Sequence, residues 1–197
     1  MLLQQKKANE VMKYLCLVPQ VKNCTLYGSL ANGNADKYSD IDICVDVSGS
    51  DNGAFMKELP LLIAKWLPML WYDYAPSLAP EQYVVSVAID ENNPFCVVDF
   101  KCIATPHIDT IQKSELDNDI YFHLIKLWTA NCKHYIRGAD CTQDIQKMGR
   151  RTIGTECEKM TNEQILENIL CCIERNLTPQ LSVYVKNCRK AWDERNH

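Results

Sequence analysis

Hydrophobic and polar positions change their period twice along this chain. Over residues 2–16 apolar side chains recur at helical spacing, with Leu3, Val11, Met12 and Leu15 on one face, which predicts a helix. Thr25-Leu26-Tyr27 reads as a short strand ended by Gly28-Ser29, and residues 30–39 are polar and rich in turn formers. The run from Ile41 through Val47 then alternates strictly. Period two sets Asp40, Asp42, Cys44 and Asp46 on one face and Ile41, Ile43, Val45 and Val47 on the other, so one side of this strand is lined with carboxylates and the other is core. Residues 48–53 predict a loop and 54–67 a helix interrupted at Pro60. Strands over 82–89 and 95–103 flank the turn Asp90-Glu91-Asn92-Asn93-Pro94 and predict a hairpin.

From about Thr110 the strand signal stops. Helices are expected near 117–133, 140–150, 162–176 and 179–194, with start signals at Ser114 with Asp117, Thr161 with Gln164, and Thr178-Pro179. Strands first and helices after predict an α+β chain: a mixed-sheet domain over 1–107 followed by an α-helical bundle region over 108–197.

Composition narrows the partners. With 197 residues, 47% hydrophobic and 23% charged, the chain is of ordinary globular make-up and long enough to fold without a disulfide or structural metal. Its net charge is −4, and all of the excess acid lies in residues 1–107, which hold 12 acidic and 8 basic groups. No basic stripe appears, which argues against general binding to nucleic acid. No apolar run approaches 18 residues, so no membrane span is expected, and residues 1–15 lack the pattern of a signal peptide. Eleven cysteines, an odd number with no C-x-x-C, predict reduced thiols in a cytoplasmic protein.

The candidate chemistry lies between Gly28 and Asp42, with one more acid downstream. Asp40 and Asp42, two residues apart on a strand, leave the same face about 7 Å apart. Two carboxylates so close repel, and a hard divalent ion such as Mg²⁺ resolves the conflict. Asp99 interrupts the apolar run Phe95-Cys96-Val97-Val98 and is followed by Phe100, where an acid needs a partner or a metal. Lys101 shares its face, as a salt-bridge partner or a phosphate contact. Glycine at 28 lets the backbone approach a ligand, and the amides that follow, with the Ser29 hydroxyl, suit phosphate oxygens if a helix begins there. A phosphate cradle and three acids together suit a triphosphate with metal, and in-line displacement at phosphorus.

These residues resemble a known family. Gly-Ser, ten residues, then Asp-x-Asp on a strand, with a later acid, is similar to the signature of the nucleotidyltransferase superfamily that includes DNA polymerase β. In style it is nearest to the small bacterial aminoglycoside and lincosamide nucleotidyltransferases and the minimal nucleotidyltransferases. The resemblance covers roughly residues 24–103. It implies that Gly28 and Ser29 hold the triphosphate, aided by Ser39, that Asp40 and Asp42 hold Mg²⁺, and that Asp99 is the third acid, as ligand, as base, or both. Many relatives carry an arginine shortly after the Gly-Ser; here Leu30 and Asn32 occupy that stretch, with Lys37, Arg150 or Arg151 as substitutes.

The activity implied is transfer of a nucleoside monophosphate, AMP by default, from ATP or another NTP to a hydroxyl of a small molecule, with an antibiotic-like acceptor and hence a role in resistance. Because several antibiotic-modifying relatives share a site between two subunits, a homodimer stays open. Two other readings stand beside it: a toxin–antitoxin nucleotidyltransferase that acts on or binds a protein, and a non-catalytic nucleotide-binding module. Glu156 and Glu158 read as a solvated face, with a catalytic base as the alternative. Trp66, Trp71, Tyr72 and Tyr74 read as core or interface packing, with an acceptor pocket as the alternative. The four histidines show no catalytic spacing.

Overall fold

The computed structural model describes residues 2–75, 83–108, 111 and 115–196, and divides the chain into two compact units. One comprises residues 1–90 and 96–119, the other 91–95 and 120–197. The sequence-based expectations at Gln82, Thr110 and Ser114 fall outside the described residues.

The first unit is built on a mixed five-stranded sheet. In chain order its elements are α1 (Leu3–Leu15), β1 (Asn23–Tyr27), α2 (Gly28–Ala31), β2 (Ile41–Asp46), α3 (Asn52–Ile63), β3 (Trp71–Tyr74), β4 (Tyr83–Ala88) and β5 (Val97–Ile103). The strands lie in the order β1-β2-β5-β4-β3. Only β2 and β5 run parallel; β1 with β2, β4 with β5 and β3 with β4 are antiparallel. The expected hairpin is therefore the β4–β5 pair.

Alternation decides the two faces of the sheet. Ile41, Ile43 and Val45 of β2, Val98, Phe100 and Cys102 of β5, and Val85 and Val87 of β4 are buried together in one core. The intervening Asp42, Cys44 and Asp46 are half-buried on the other face, as the period-two pattern requires. α1 and α3 cover the core face with Ala8, Val11 and Leu15, and with Phe55, Met56, Leu59 and Ile63.

Three local features differ from the sequence-based expectation. The inward stripe of α1 is Gln4, Ala8, Val11 and Leu15, while Leu3 is 39% exposed. Gln4 is buried because its Nε2 donates to the carbonyls of Asp36 and Lys37 at 3.2 and 3.0 Å, which satisfies a polar group out of water. The helix α3 is not interrupted at Pro60 but runs on to Ile63. Its Asp51 cap accepts from the Ala54 amide at 2.9 Å, and its buried stripe outweighs the amide lost at the proline. The third is β3, a strand of four residues, three of them aromatic, which the pattern marked as packing. Its outer edge is closed by Asn118, whose side chain accepts from the Tyr74 amide at 2.8 Å and donates to the Tyr74 carbonyl at 3.0 Å. Of the described residues on the helical side of the expected boundary, 108, 111 and 115–119 thus cluster with the sheet, and the Asn52 amide donates to the carbonyl of Ile108 as well.

The second unit holds α4 (Ile120–Ile136), α5 (Thr142–Thr152), α6 (Asn162–Arg175) and α7 (Ser182–Asp193). The expected start at Thr161 is a full capping box: Thr161 Oγ1 accepts from the Gln164 amide and the Gln164 side chain accepts from the Thr161 amide. Thr178-Pro179 opens a 3₁₀ turn that leads into α7. Ile165, Leu166, Ile169, Leu170 and Ile173 form the buried stripe of α6, and Trp128 of α4 donates its indole N–H to the Leu166 carbonyl at 2.9 Å. Arg189 of α7 clasps α6 by bonds of 2.8–2.9 Å to both Glu167 and Glu174. Residues 91–95 cluster here because Tyr184 Oη and Asn187 Nδ2 donate to the carbonyls of Pro94 and Glu91.

Among the described residues no helix is long and apolar enough to cross a membrane. All eleven cysteines are free thiols. Burial pushes Cys24, Cys96 and Cys132 up to about 12.

Candidate active site: an acidic row across the sheet

Strand register sets the site. Asp42 of β2 is paired with Asp99 of β5, its parallel neighbour. Directly paired residues project to the same face, about 4.8 Å apart, so sequence positions 57 residues apart become adjacent carboxylates. Asp40 precedes β2 on the same alternation. One carboxylate oxygen from each of Asp40, Asp42 and Asp99 lies within 4.8 Å of the others, and all three residues are half-buried. Two unit charges at that separation repel by roughly 3 kcal/mol at an effective dielectric of 20. Three oxygen donors at this spacing fit a hard divalent cation such as Mg²⁺, which takes carboxylates directly and keeps remaining positions for water or phosphate.

The pairing continues outward on both sides. Tyr27 of β1 pairs with Asp42, Ser86 of β4 pairs with Asp99, and Asp73 of β3 pairs with Ser86. A single row therefore reads Tyr27, Asp42, Asp99, Ser86, Asp73 across the sheet. Ser86 is 1% exposed and its hydroxyl donates to Asp99 Oδ1 at 2.5 Å. Burial pushes the Tyr27 hydroxyl well above its ordinary range, and the charges of Asp42, Asp99, Cys44 and Asp40 add to the shift, so it stays a neutral donor facing the acids. Asp73 is completely buried. These three row members were absent from the sequence-based candidates. The only hint was a serine set inside the apolar run Val84-Val85-Ser86-Val87-Ala88.

The turn from β1 into the short helix α2 closes one side. Gly28 has φ +65°, and a Cβ built there would lie 2.9 Å from Asp42 Cγ and closer still to Oδ2. The backbone of this turn is thus packed directly on the Asp42 carboxylate, an approach only glycine permits. Ser29 Oγ is buried and makes no hydrogen bond, which leaves it able to meet a ligand.

Other sequence candidates make contacts of their own. Ser39 is 2% exposed; its Oγ accepts from the Asp36 amide and donates to Asp36 Oδ1, both at 3.0 Å, closing the turn that leads into β2. Lys37 Nζ lies 4.9 Å from the centre of the Tyr38 ring. Asp46 shares the acidic face but lies outside the trio; hydrogen bonds from the Ser48 hydroxyl and amide hold its carboxyl below the usual range. In the helical unit Arg150 lies 3.9 Å from Glu158, and Lys159 3.6 Å from Glu156, all more than half exposed.

Against known proteins, residues 8–91 match the nucleotidyltransferase domain family. The match takes in Gly28, Asp40, Asp42 and Ser86, covers under half of the chain, and stops short of Asp99. Residues 8–91 are thus similar to a nucleotidyltransferase domain, and a helical region follows. No curated protein matches the sequence. Among solved structures, a chain of the GLD-2/RNP-8 complex aligns over 85% of this chain and 72% of its own, at 13% identity and a TM-score of 0.40. A likeness of that size says nothing of activity.

Proposed function

We propose that this protein is a Mg²⁺-dependent nucleotidyltransferase that moves a nucleoside monophosphate, AMP by default, from an NTP to a hydroxyl of a small molecule. The observation that carries the reading is the convergence of Asp40, Asp42 and Asp99 within 4.8 Å, against a glycine turn packed on Asp42. Asp40, just before β2, Asp42 on β2 and Asp99 on β5 would hold the ion. Magnesium, when bound, neutralises charge on phosphate oxygens and acidifies the attacking hydroxyl. Gly28 allows the triphosphate to approach the backbone, and the Ser29 hydroxyl donates to a phosphate oxygen. The acceptor oxygen forms a bond to the α-phosphorus as the bond to the bridging oxygen breaks. Pyrophosphate leaves, and the hydroxyl proton passes to the Asp99 carboxylate.

For the acceptor we take a cationic antibiotic-like molecule, an aminoglycoside first and a lincosamide second. Support comes from the 12 acidic against 8 basic groups of residues 1–107. Eleven free thiols, seven of them buried, suit work in the reducing cytoplasm, where NTP is abundant.

The test is incubation of the protein with α-labelled ATP, GTP, CTP or UTP, Mg²⁺ and a panel of aminoglycosides and lincosamides, beside Asp42→Asn. Labelled acceptor and released pyrophosphate are expected from the wild type, and a turnover at least about 100-fold lower from the variant. Equal turnover in the two proteins would refute the role of the carboxylates. Label found on a protein instead of the small molecules would move the acceptor class to protein.

A further inference from the structure

We infer that Ser86 is the positioning residue of the ion site: its hydroxyl holds the Asp99 carboxylate in the orientation that lets it share a cation with Asp40 and Asp42. The inference rests on the metal-site reading above and deepens it.

Ser86 is the polar residue of an otherwise apolar β4, and antiparallel register puts it directly beside Asp99. At 1% exposure its hydroxyl has no access to bulk water, and it donates to Asp99 Oδ1 at 2.5 Å. A buried hydroxyl costs stability unless bonded, so both groups are held by the same contact.

The chemistry of the donor matters. A lysine or arginine in this place would orient the carboxylate but also neutralise it, in competition with a cation. A serine hydroxyl orients it by one oxygen and leaves its net charge intact. A hydrogen-bonded carboxylate ligand is the usual arrangement behind a metal site, and loss of such an outer partner lowers metal affinity by about 10–100-fold. Asp46 shows the contrast on the same face of the sheet. It too accepts from a serine, but that serine, Ser48, lies in its own loop, and Asp46 stands outside the trio. Ser86, by contrast, reaches a carboxylate of the trio from a neighbouring strand.

The experiment measures Mn²⁺ binding to the intact chain by electron paramagnetic resonance, without nucleotide, for the wild type, Ser86→Ala and Ser86→Thr, with folding checked by circular dichroism. Weakening by about 10-fold or more in Ser86→Ala, with recovery in Ser86→Thr, is expected. A folded Ser86→Ala that binds Mn²⁺ as tightly as the wild type overturns the inference and leaves the ion site standing, because the serine would then serve stability alone. Absence of Mn²⁺ binding by the wild type would instead sink the ion-site reading and this inference with it. If Ser86→Ala does not fold, Ser86→Cys, with the same shape and a weaker donor, carries the same comparison: weaker binding supports the inference and unchanged binding overturns it.

Discussion

Replacing Gly28 by alanine puts a methyl group where the Asp42 carboxylate already lies. Two costs arise, and the chain contains a control that separates them. Gly28 and Gly33 both have left-handed backbone, at φ +65° and +73°, but a Cβ at Gly33 would meet nothing within 4 Å. A non-glycine residue in that conformation costs about 1–2 kcal/mol, and the alanine returns about 0.4–1 kcal/mol by stiffening the unfolded chain. Gly33→Ala should therefore lose about 0.5–1 kcal/mol. Gly28→Ala bears the same cost and, in addition, a steric conflict of about 1–3 kcal/mol for an overpacked site. The atoms in conflict belong to a side chain that can rotate, so the loss of stability should fall at the low end, about 1.5–2 kcal/mol in all. That relief has a functional consequence, because an Asp42 that swings away leaves the trio. The two variants should thus differ little in urea midpoint and greatly in ion binding: Mn²⁺ affinity should fall at least about 10-fold in Gly28→Ala and stay unchanged in Gly33→Ala. Equal Mn²⁺ affinity in the two variants would refute the claim that the glycine turn is packed on a working ligand.

Two further predictions concern the helical unit. Burial alone would raise the Glu167 carboxyl, but hydrogen bonds from Arg189, Cys171 and Trp192 outweigh it and hold it below the ordinary range. A depressed carboxyl stabilises the fold above its unfolded value of about 4.3, and that contribution is lost as pH falls through the lower folded value. Urea midpoints measured from pH 7 down to pH 2.5 should decline on this acid limb in the wild type and less steeply in Glu167→Gln, and identical profiles would contradict the clasp. At Gly149, on the face of α5 turned to α6, a Cβ would lie 2.9 Å from Ile165 Cγ2 and 3.1 Å from Cys157 Cβ. Helix propensity alone favours alanine there by about 1 kcal/mol. Overpacking should reverse the sign and leave Gly149→Ala about 1–2 kcal/mol less stable; a raised thermal midpoint would show that the packing can give.

The aromatic segment Trp71–Tyr74 shows why part of the sheet escaped the pattern. Three aromatics and one acid carry no alternation to read, and the strand is fixed by its register with β4 and by Asn118, which closes the far edge from 44 residues away. Gln4 makes the same point in α1. A glutamine belongs on a solvated face until a distant turn offers two carbonyls, and here Asp36 and Lys37 offer them.

Alternation along residues 40–47 was enough to put Asp40 and Asp42 on one face, because a strand's side-chain period is a local property of the backbone. The same logic marked Asp99 as an acid out of place in an apolar run, and Gly28 as a turn. Which strands become neighbours, in which register, is set by packing of the whole core, and no local period contains it. That choice put Asp99 beside Asp42, brought Ser86 to Asp99, faced Tyr27 toward the acids and packed the Gly28 turn against the Asp42 carboxylate. The chain's own order thus determined the candidate ligands one strand at a time, and tertiary structure alone decided that they lie together, since contacts between strands are made by residues far apart along the chain.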